Sequence, residues 1–370
     1  VSRAASLVLL LAACAGEPTP TPPAAAPPAQ PASAQPTPRP PGSDLTLPGE
    51  THLRAVRQLT FGGQNAEAYW SWDDRRLVLQ ITDDAHVPAG ERRCDQIFLL
   101  DVLSGGLSPV SQGGRTTCAY FLPGDRQLIY ASTHEHGSEC PPEPDRSQGY
   151  VWPLFDYDIF LRDLVDGSLR NLTNSPGYDA EATVAADGRI VFTSVRSGDI
   201  ELWLMDGPFG TPRQLTHEPG YDGGAFFSAD GCRLVWRASR PAEGDERRDY
   251  DALLARGLVR PTRLELFVAD ADGSHARQLT DNGQANFAPY FSPDGRSVLF
   301  ASNMGAVGGR SFQIWRIGVD GTGLEQITHD PSGFNCFPMF SRDGTRLVFS
   351  SNRNGSVPHE TNVFVAEWVP

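Results

Sequence analysis

From residue 54 onward the apolar residues fall in short runs rich in β-branched and aromatic side chains, each bounded by a turn, and no long helical spacing interrupts them. The runs form a cassette that recurs. Tyr290-Phe291-Ser292-Pro293-Asp294-Gly295 returns as Met339-Phe340-Ser341-Arg342-Asp343-Gly344 and as Phe226-Phe227-Ser228-Ala229-Asp230-Gly231. Weaker copies start at Tyr69, Tyr120 and Thr183. Measured at Ser71, Leu122, Ala185, Ser228, Ser292 and Ser341, the intervals are 51, 63, 43, 64 and 49 residues. Each copy reads as an aromatic strand, an Asp-Gly hairpin, a β-branched strand such as Ser297–Phe300, a third strand such as Gln313–Arg316, and a fourth ending in Leu-Thr or Ile-Thr. Four antiparallel strands per unit, repeated six times, predict an all-β fold: a six-bladed β-propeller.

The fourth strands predict how the ring closes. Five cassettes end at Val110-Ser111, Leu172-Thr173, Leu215-Thr216, Leu279-Thr280 and Ile327-Thr328, whereas the sixth stops at its third strand near Trp368. The missing copy, Val56–Thr60, precedes the first aromatic strand. The N-terminal strand is therefore expected to complete the last blade and leave no open edge. The cassettes resemble the propeller repeats of the TolB family. The carriers are Tyr290 to Gly295, Ala301-Ser302-Asn303, Asp320-Gly321 and Ile327-Thr328, with counterparts in the last repeat, and the resemblance covers residues 54–370. It implies a propeller and, by analogy, a protein or peptide partner. It assigns no chemistry.

Upstream the pattern changes. Leu7–Ala13 is an apolar run too short to span a bilayer, which predicts a signal peptide over 1–13. Leu11-Ala12-Ala13-Cys14 resembles a bacterial lipobox, implying acylation of Cys14, and Ala15 resembles an outer-membrane sorting signal. A plain secretory signal with an incidental cysteine is the alternative. Residues 14–50, rich in Pro and Ala, predict a disordered tether, because such a segment buries too little to offset ordering entropy. The expected location is the periplasm or cell surface, on the outer membrane through the lipid.

Charge narrows the choices. The formal net charge is −14, and all 31 basic residues are arginine. No lysine chemistry is available, and nucleic acid, which demands a basic stripe, is not expected as a partner. No Gly-x-Ser-x-Gly elbow, His-Glu-x-x-His helix or phosphate loop is present. No cofactor and no enzyme activity are expected.

Length variation falls in the second-to-third loops, 82–95, 132–157, 238–264 and 301–312, against a minimal Arg196–Asp199 loop in blade 3. Those loops share one face, which places the binding site there. Glu67, Thr117, Glu181, Asp222, Asn286 and Asn335 are expected around the channel mouth, with Tyr178 and Tyr221 in the blade links. Arg196, Arg237, Asn303, Asn352 and Arg353 form an expected second circle, and Tyr150 and Trp152 lie on the blade 2 loop. These polar groups either bind a polar or zwitterionic ligand or satisfy one another. Residues 249–261 predict a short helix with a Gly stop, a lid or buttress. His134 and His136, with Glu135 or His359, offer a metal reading that is not preferred. Two of Cys94, Cys118 and Cys140 are expected to pair. The function read here is a monomeric, non-catalytic envelope binding module; a glycan-binding or glycan-cleaving propeller using loop 132–158 is the alternative.

Overall fold

In the computed structural model, which describes residues 42–82, 94–147, 149–306, 309, 311–331 and 333–370, the cassettes fold into six four-stranded antiparallel sheets. Signal peptide, Cys14 and most of the tether lie outside the described residues. The second and third strands of each blade bring a large side chain of each into register: Leu79 with Phe98, Tyr130 with Phe160, Phe192 with Trp203, Trp236 with Phe267, Phe300 with Trp315, and Phe349 with Phe364. Cross-strand pairs of this kind stabilise a sheet beyond backbone bonding. Neighbouring blades then pack these faces together, so that Trp70, Phe121, Phe291 and Phe364 are fully enclosed.

The Leu-Thr ending of the fourth strand has a specific task. In every blade its Thr or Ser hydroxyl accepts the backbone N–H of the third strand's second residue, at 2.8–3.0 Å: Val363 to Thr60, Ile97 to Ser111, Ile159 to Thr173, Leu202 to Thr216, Leu266 to Thr280 and Ile314 to Thr328. The same hydroxyl donates to the polar residue that opens the third strand, as Thr328 does to Gln313 at 2.9 Å. The fourth strand is short, and this clamp supplies what its ladder lacks. Ser and Asp of the Ser-x-Asp-Gly turn bond likewise, Ser292 to Asp294 and Ser341 to Asp343 at 2.6 Å.

Arginine ties blade to blade at the face of these turns. Arg76, Arg233 and Arg346 each donate to a turn carbonyl of the next blade, at 2.7–3.0 Å. Each guanidinium also lies over an aromatic ring, Phe121, Phe291 and Trp70 respectively. A planar cation can stack and donate at once, which an ammonium cannot match.

Closure follows the expected scheme. Leu53–Gln58 pairs antiparallel with Asn362–Trp368 and completes the last blade. Folded structure also begins before residue 54, within the expected tether. Leu45 and Glu50 are buried, and Glu50 takes two hydrogen bonds from Arg353, at 2.7 and 3.1 Å, in an ion pair shut off from solvent.

Candidate functional site

The six innermost strands share one irregularity. Each has a bulge two or three residues in, and the first bulge residue has positive φ: Glu67 (51°), Cys118 (53°), Glu181 (57°), Gly224 (62°), Ala288 (47°) and Phe337 (56°). Five are not glycine, so the ring geometry holds them in a region side chains disfavour. All six line a central cavity of about 940 Å³. Gly224 is the exception with a reason: a Cβ there would stand 2.2 Å from Arg237 Nη1. The missing side chain leaves room for the guanidinium.

Below the cavity the channel is filled. Tyr69, Tyr120, Phe226 and Tyr290 pack with ring centroids 5.4–6.2 Å apart. Beneath them Arg342, in the blade 6 turn, lies 3.7 Å from the Trp72 centroid and donates to Tyr120 Oη at 3.2 Å. The cavity is a funnel with a floor.

Its roof is assembled from two loops. Trp152–Pro153 of blade 2 pairs antiparallel with Leu258–Val259 of blade 4, and Leu154 N–H donates to Gly257 O at 2.7 Å. The expected helix forms over Asp245–Leu254, starting earlier than the 249–261 segment that predicted it. Its Leu253 packs with Val151 and Leu258, and its Tyr250 with Ile200, Tyr221 and Val259. Tyr250 Oη donates to Asp199 of blade 3. The short loop of blade 3 thus lies where the two longer loops meet above it. Cys94 and Cys140 form a disulfide tying blade 1 to the blade 2 loop, while Cys118, Cys232 and Cys336 are free thiols.

One wall is an aromatic arc. Trp152, Phe287, Phe312 and Phe334 follow one another at 5.2, 5.4 and 6.1 Å. Tyr157 and Tyr178, 5.8 Å apart, face it from blades 2 and 3. The floor carries charge. Arg237 bonds Glu181 and donates to Tyr221 Oη at 2.9 Å, and Tyr221 donates to Glu181 at 2.9 Å. Thr193 donates to the same carboxylate at 2.8 Å. Glu67 differs. Burial, with repulsion from Glu181, pushes its carboxyl up to about 7, against a hydrogen bond from Cys118 and the attraction of Arg237. Its Oε2 is buried and has no hydrogen-bond partner. Burial also raises the Cys118 thiol well above its ordinary value, so it is held neutral.

Nine residues expected at the mouth line the cavity: Glu67, Thr117, Tyr150, Trp152, Tyr178, Glu181, Tyr221, Arg237 and Asn303. The other six sit elsewhere. Asp222, Asn286 and Asn335 occupy a position two residues before the bulge, where the backbone N–H closes the junction with the preceding blade. All six junctions carry this bond, from Asn65, Thr116, Asp179, Asp222, Asn286 and Asn335, at 2.9–3.2 Å. Their side chains are fully buried; Asp222, for instance, accepts from Trp236 and Arg240 at 2.6 and 2.8 Å. Arg196 is paired with Asp179 at 2.7 Å, Arg353 with Glu50, and exposed Asn352 accepts from Phe334 N–H at 2.7 Å. Three repeat positions are interleaved in the expected ring, the bulge (Glu67, Glu181), the residue before it (Thr117) and two before it (Asp222, Asn286, Asn335), because residue type alone does not mark the bulge. Sequence reading also missed Cys118, Phe287, Phe312, Phe334 and Phe337; aligning the repeats at the bulge finds Cys118 and Phe337 there and Phe287 one residue before it.

The metal reading gains no geometry. His134 bonds Ser132 at 2.8 Å and packs on Phe160, whereas His136 faces Asp158 at 3.3 Å. Among the described residues no three His, Cys, Asp or Glu side chains gather to hold an ion.

No family model matches the chain. An uncharacterized protein of Agrobacterium fabrum is 34% identical over 93 residues, 25% of this chain and 30% of that protein. Dipeptidyl-peptidase 5 of Porphyromonas endodontalis is 28% identical over 90 residues, 24% of this chain and 12% of the peptidase. These matches thus span less than a third of either relative. Among solved structures, TolB from Acinetobacter baumannii has a TM-score of 0.50 at 18% identity, over 71% of this chain and 54% of that one. A protein from Agrobacterium tumefaciens assigned as TolB reaches 0.55 at 17% identity, over 83% of this chain and 91% of its own. Tricorn protease gives 0.52 at 15%, over 79% of this chain and 25% of its own. At these identities the likeness is one of fold: this is a TolB-like six-bladed propeller.

Proposed function

We propose that the protein is a non-catalytic binding module of the cell envelope, tethered to the outer membrane through acylated Cys14, that receives a peptide segment of a protein partner in the roofed funnel. One observation carries the reading. The funnel is concave, with an aromatic wall and with Glu67, Glu181 and Arg237 set deep at its floor, a composition suited to a ligand site. It opens among the irregular loops, where a rigid scaffold presents its recognition surface. The TolB-like fold supports a binding role in the same sense. The deep groups support it too: Glu181 and Arg237 neutralise each other, and the neutral Cys118 thiol is poorly suited to attack. Among the described residues no helix is long and apolar enough to cross a membrane.

The test passes a mixture of short peptides of random sequence, and separately a mixture of envelope oligosaccharides, over the immobilised protein. Peptides are expected to be retained, and a Trp152→Ala/Phe287→Ala variant is expected to lose at least tenfold in affinity. Retention of the oligosaccharides alone overturns the reading in favour of a glycan site. Radiolabelled palmitate incorporated by the wild type and not by Cys14→Ser checks the anchor.

A further inference from the structure

Among the residues lining the funnel, three buried side-chain atoms lack a partner: Arg115 Nε–H beside the blade 2 loop, where Arg115 pairs with Glu143, and two of opposite demand at the floor. Glu67 presents a buried acceptor, Oε2, and Arg237 a buried donor, Nε–H; neither has a partner. Everything around them is already engaged. The other face of Arg237 bonds Glu181 and Tyr221, and Thr117 donates to Gln80 at 2.8 Å. Glu67 and Arg237 stand close enough for each to act on the other's charge. A buried acceptor and a buried donor without partners each cost free energy that a ligand satisfying both would recover.

The balance of charge says which end of a ligand goes where. Glu181 cancels Arg237, so the ionised floor keeps one uncompensated carboxylate, Glu67. An anion would meet Glu67 and Glu181 together. A cation with an acceptor a few bonds away fits both orphans. We infer that the funnel floor binds the free amino terminus of a peptide, its ammonium against Glu67 Oε2 and its first carbonyl oxygen on Arg237 Nε–H. The adjoining Trp152 and Phe287, over which Arg237 is stacked, then receive the first side chain. This rests on the peptide reading above and adds to it the end of the chain that is recognised.

Binding is then tied to pH. The groups that act on Glu67 are Cys118 and Asp95 beside it, Glu181 and Arg237 across the floor, and Tyr69 and Cys336 near it. With its carboxyl raised to about 7, Glu67 is largely neutral at pH 6 and ionised at pH 8, while a peptide amine loses its proton near pH ~8. Affinity is expected to rise from pH 6, peak between the two, and fall above.

The experiment uses random-sequence tetrapeptide amides without lysine or arginine, prepared with free and with acetylated amino termini. Calorimetry is expected to show the free-amine mixture binding at least tenfold more tightly than the acetylated one at pH 7.5. Glu67→Gln is expected to abolish that preference, with thermal melting confirming the fold. The acetylation contrast on the wild type needs no variant. Equal binding of both mixtures overturns the amino-terminal inference while leaving the peptide reading intact; binding of neither overturns both.

Discussion

Glu67 shows what a single buried carboxyl does to the stability of the whole ring. It is raised to about 7, and two others share its direction: Glu201, pushed up to about 8, and Asp222, to about 6, both mainly by burial. A carboxyl that holds its proton more tightly folded than unfolded stabilises fully below its ordinary value, and that contribution is lost as pH rises through the folded value. Asp343 and Glu360 work the other way. The Ser341 hydroxyl holds Asp343 down at about 2, and hydrogen bonds from Asn362 and Ser356 overcome burial to bring Glu360 to about 2. Their stabilisation is present above the usual carboxylate range and lost as pH falls towards 2. The melting temperature is therefore expected to peak near pH ~4–5 and to decline towards pH 8. Glu67→Gln should flatten the part between pH 5 and 7, worth roughly 1–3 kcal/mol. A melting temperature that climbs steadily from pH 5 to 8 contradicts this. Arg237 acts in the opposite sense: Arg237→Ala strands Glu181 and is expected to cost about 3–5 kcal/mol in urea unfolding.

Within each blade, the fourth strand depends on its terminal hydroxyl. Thr328 accepts from Ile314 N–H and donates to Gln313, both inside the blade. Thr328→Val keeps the shape and deletes both bonds, leaving a buried N–H unpaired, so a loss of about 1–3 kcal/mol is expected. Thr328→Ser should restore most of it, and if it does not, packing of the methyl group rather than the clamp explains the Leu-Thr motif. The clamp was legible in the sequence as a repeated dipeptide, since every blade needs it. The roof over the funnel was not. Leu258–Val259 and Trp152–Pro153 are two-residue strands too short to carry a periodic signal, and their partnership spans more than a hundred residues. The helix beside them was visible by its pattern and Gly257, but its start, without a side-chain cap, was not.

For the whole molecule, closure is the deciding contact. Without the segment 42–60, Asn362–Trp368 becomes an open edge and Arg353 loses its Glu50 partner. A variant lacking that segment is expected to associate or unfold in size-exclusion chromatography, because an unpaired edge recruits another strand. A stable monomer would show that strand exchange is dispensable.

Repetition, strand pattern and the count of fourth strands determined the fold and its closure from sequence alone, because these are local signals copied six times. The face on which the funnel opens followed from the same signals, through where the loops vary. Which polar residues reach the funnel was decided only in three dimensions. A bulge turns Glu67, Cys118 and Glu181 into the channel, while Asp222, Asn286 and Asn335, two residues earlier in the repeat, close the joints between blades. Such a shift leaves residue type unchanged and reverses what a side chain faces, so composition and spacing cannot register it. The pairing of Arg237 with Glu181, made possible by the absence of a side chain at Gly224, and the unpartnered Oε2 of Glu67 are products of that geometry.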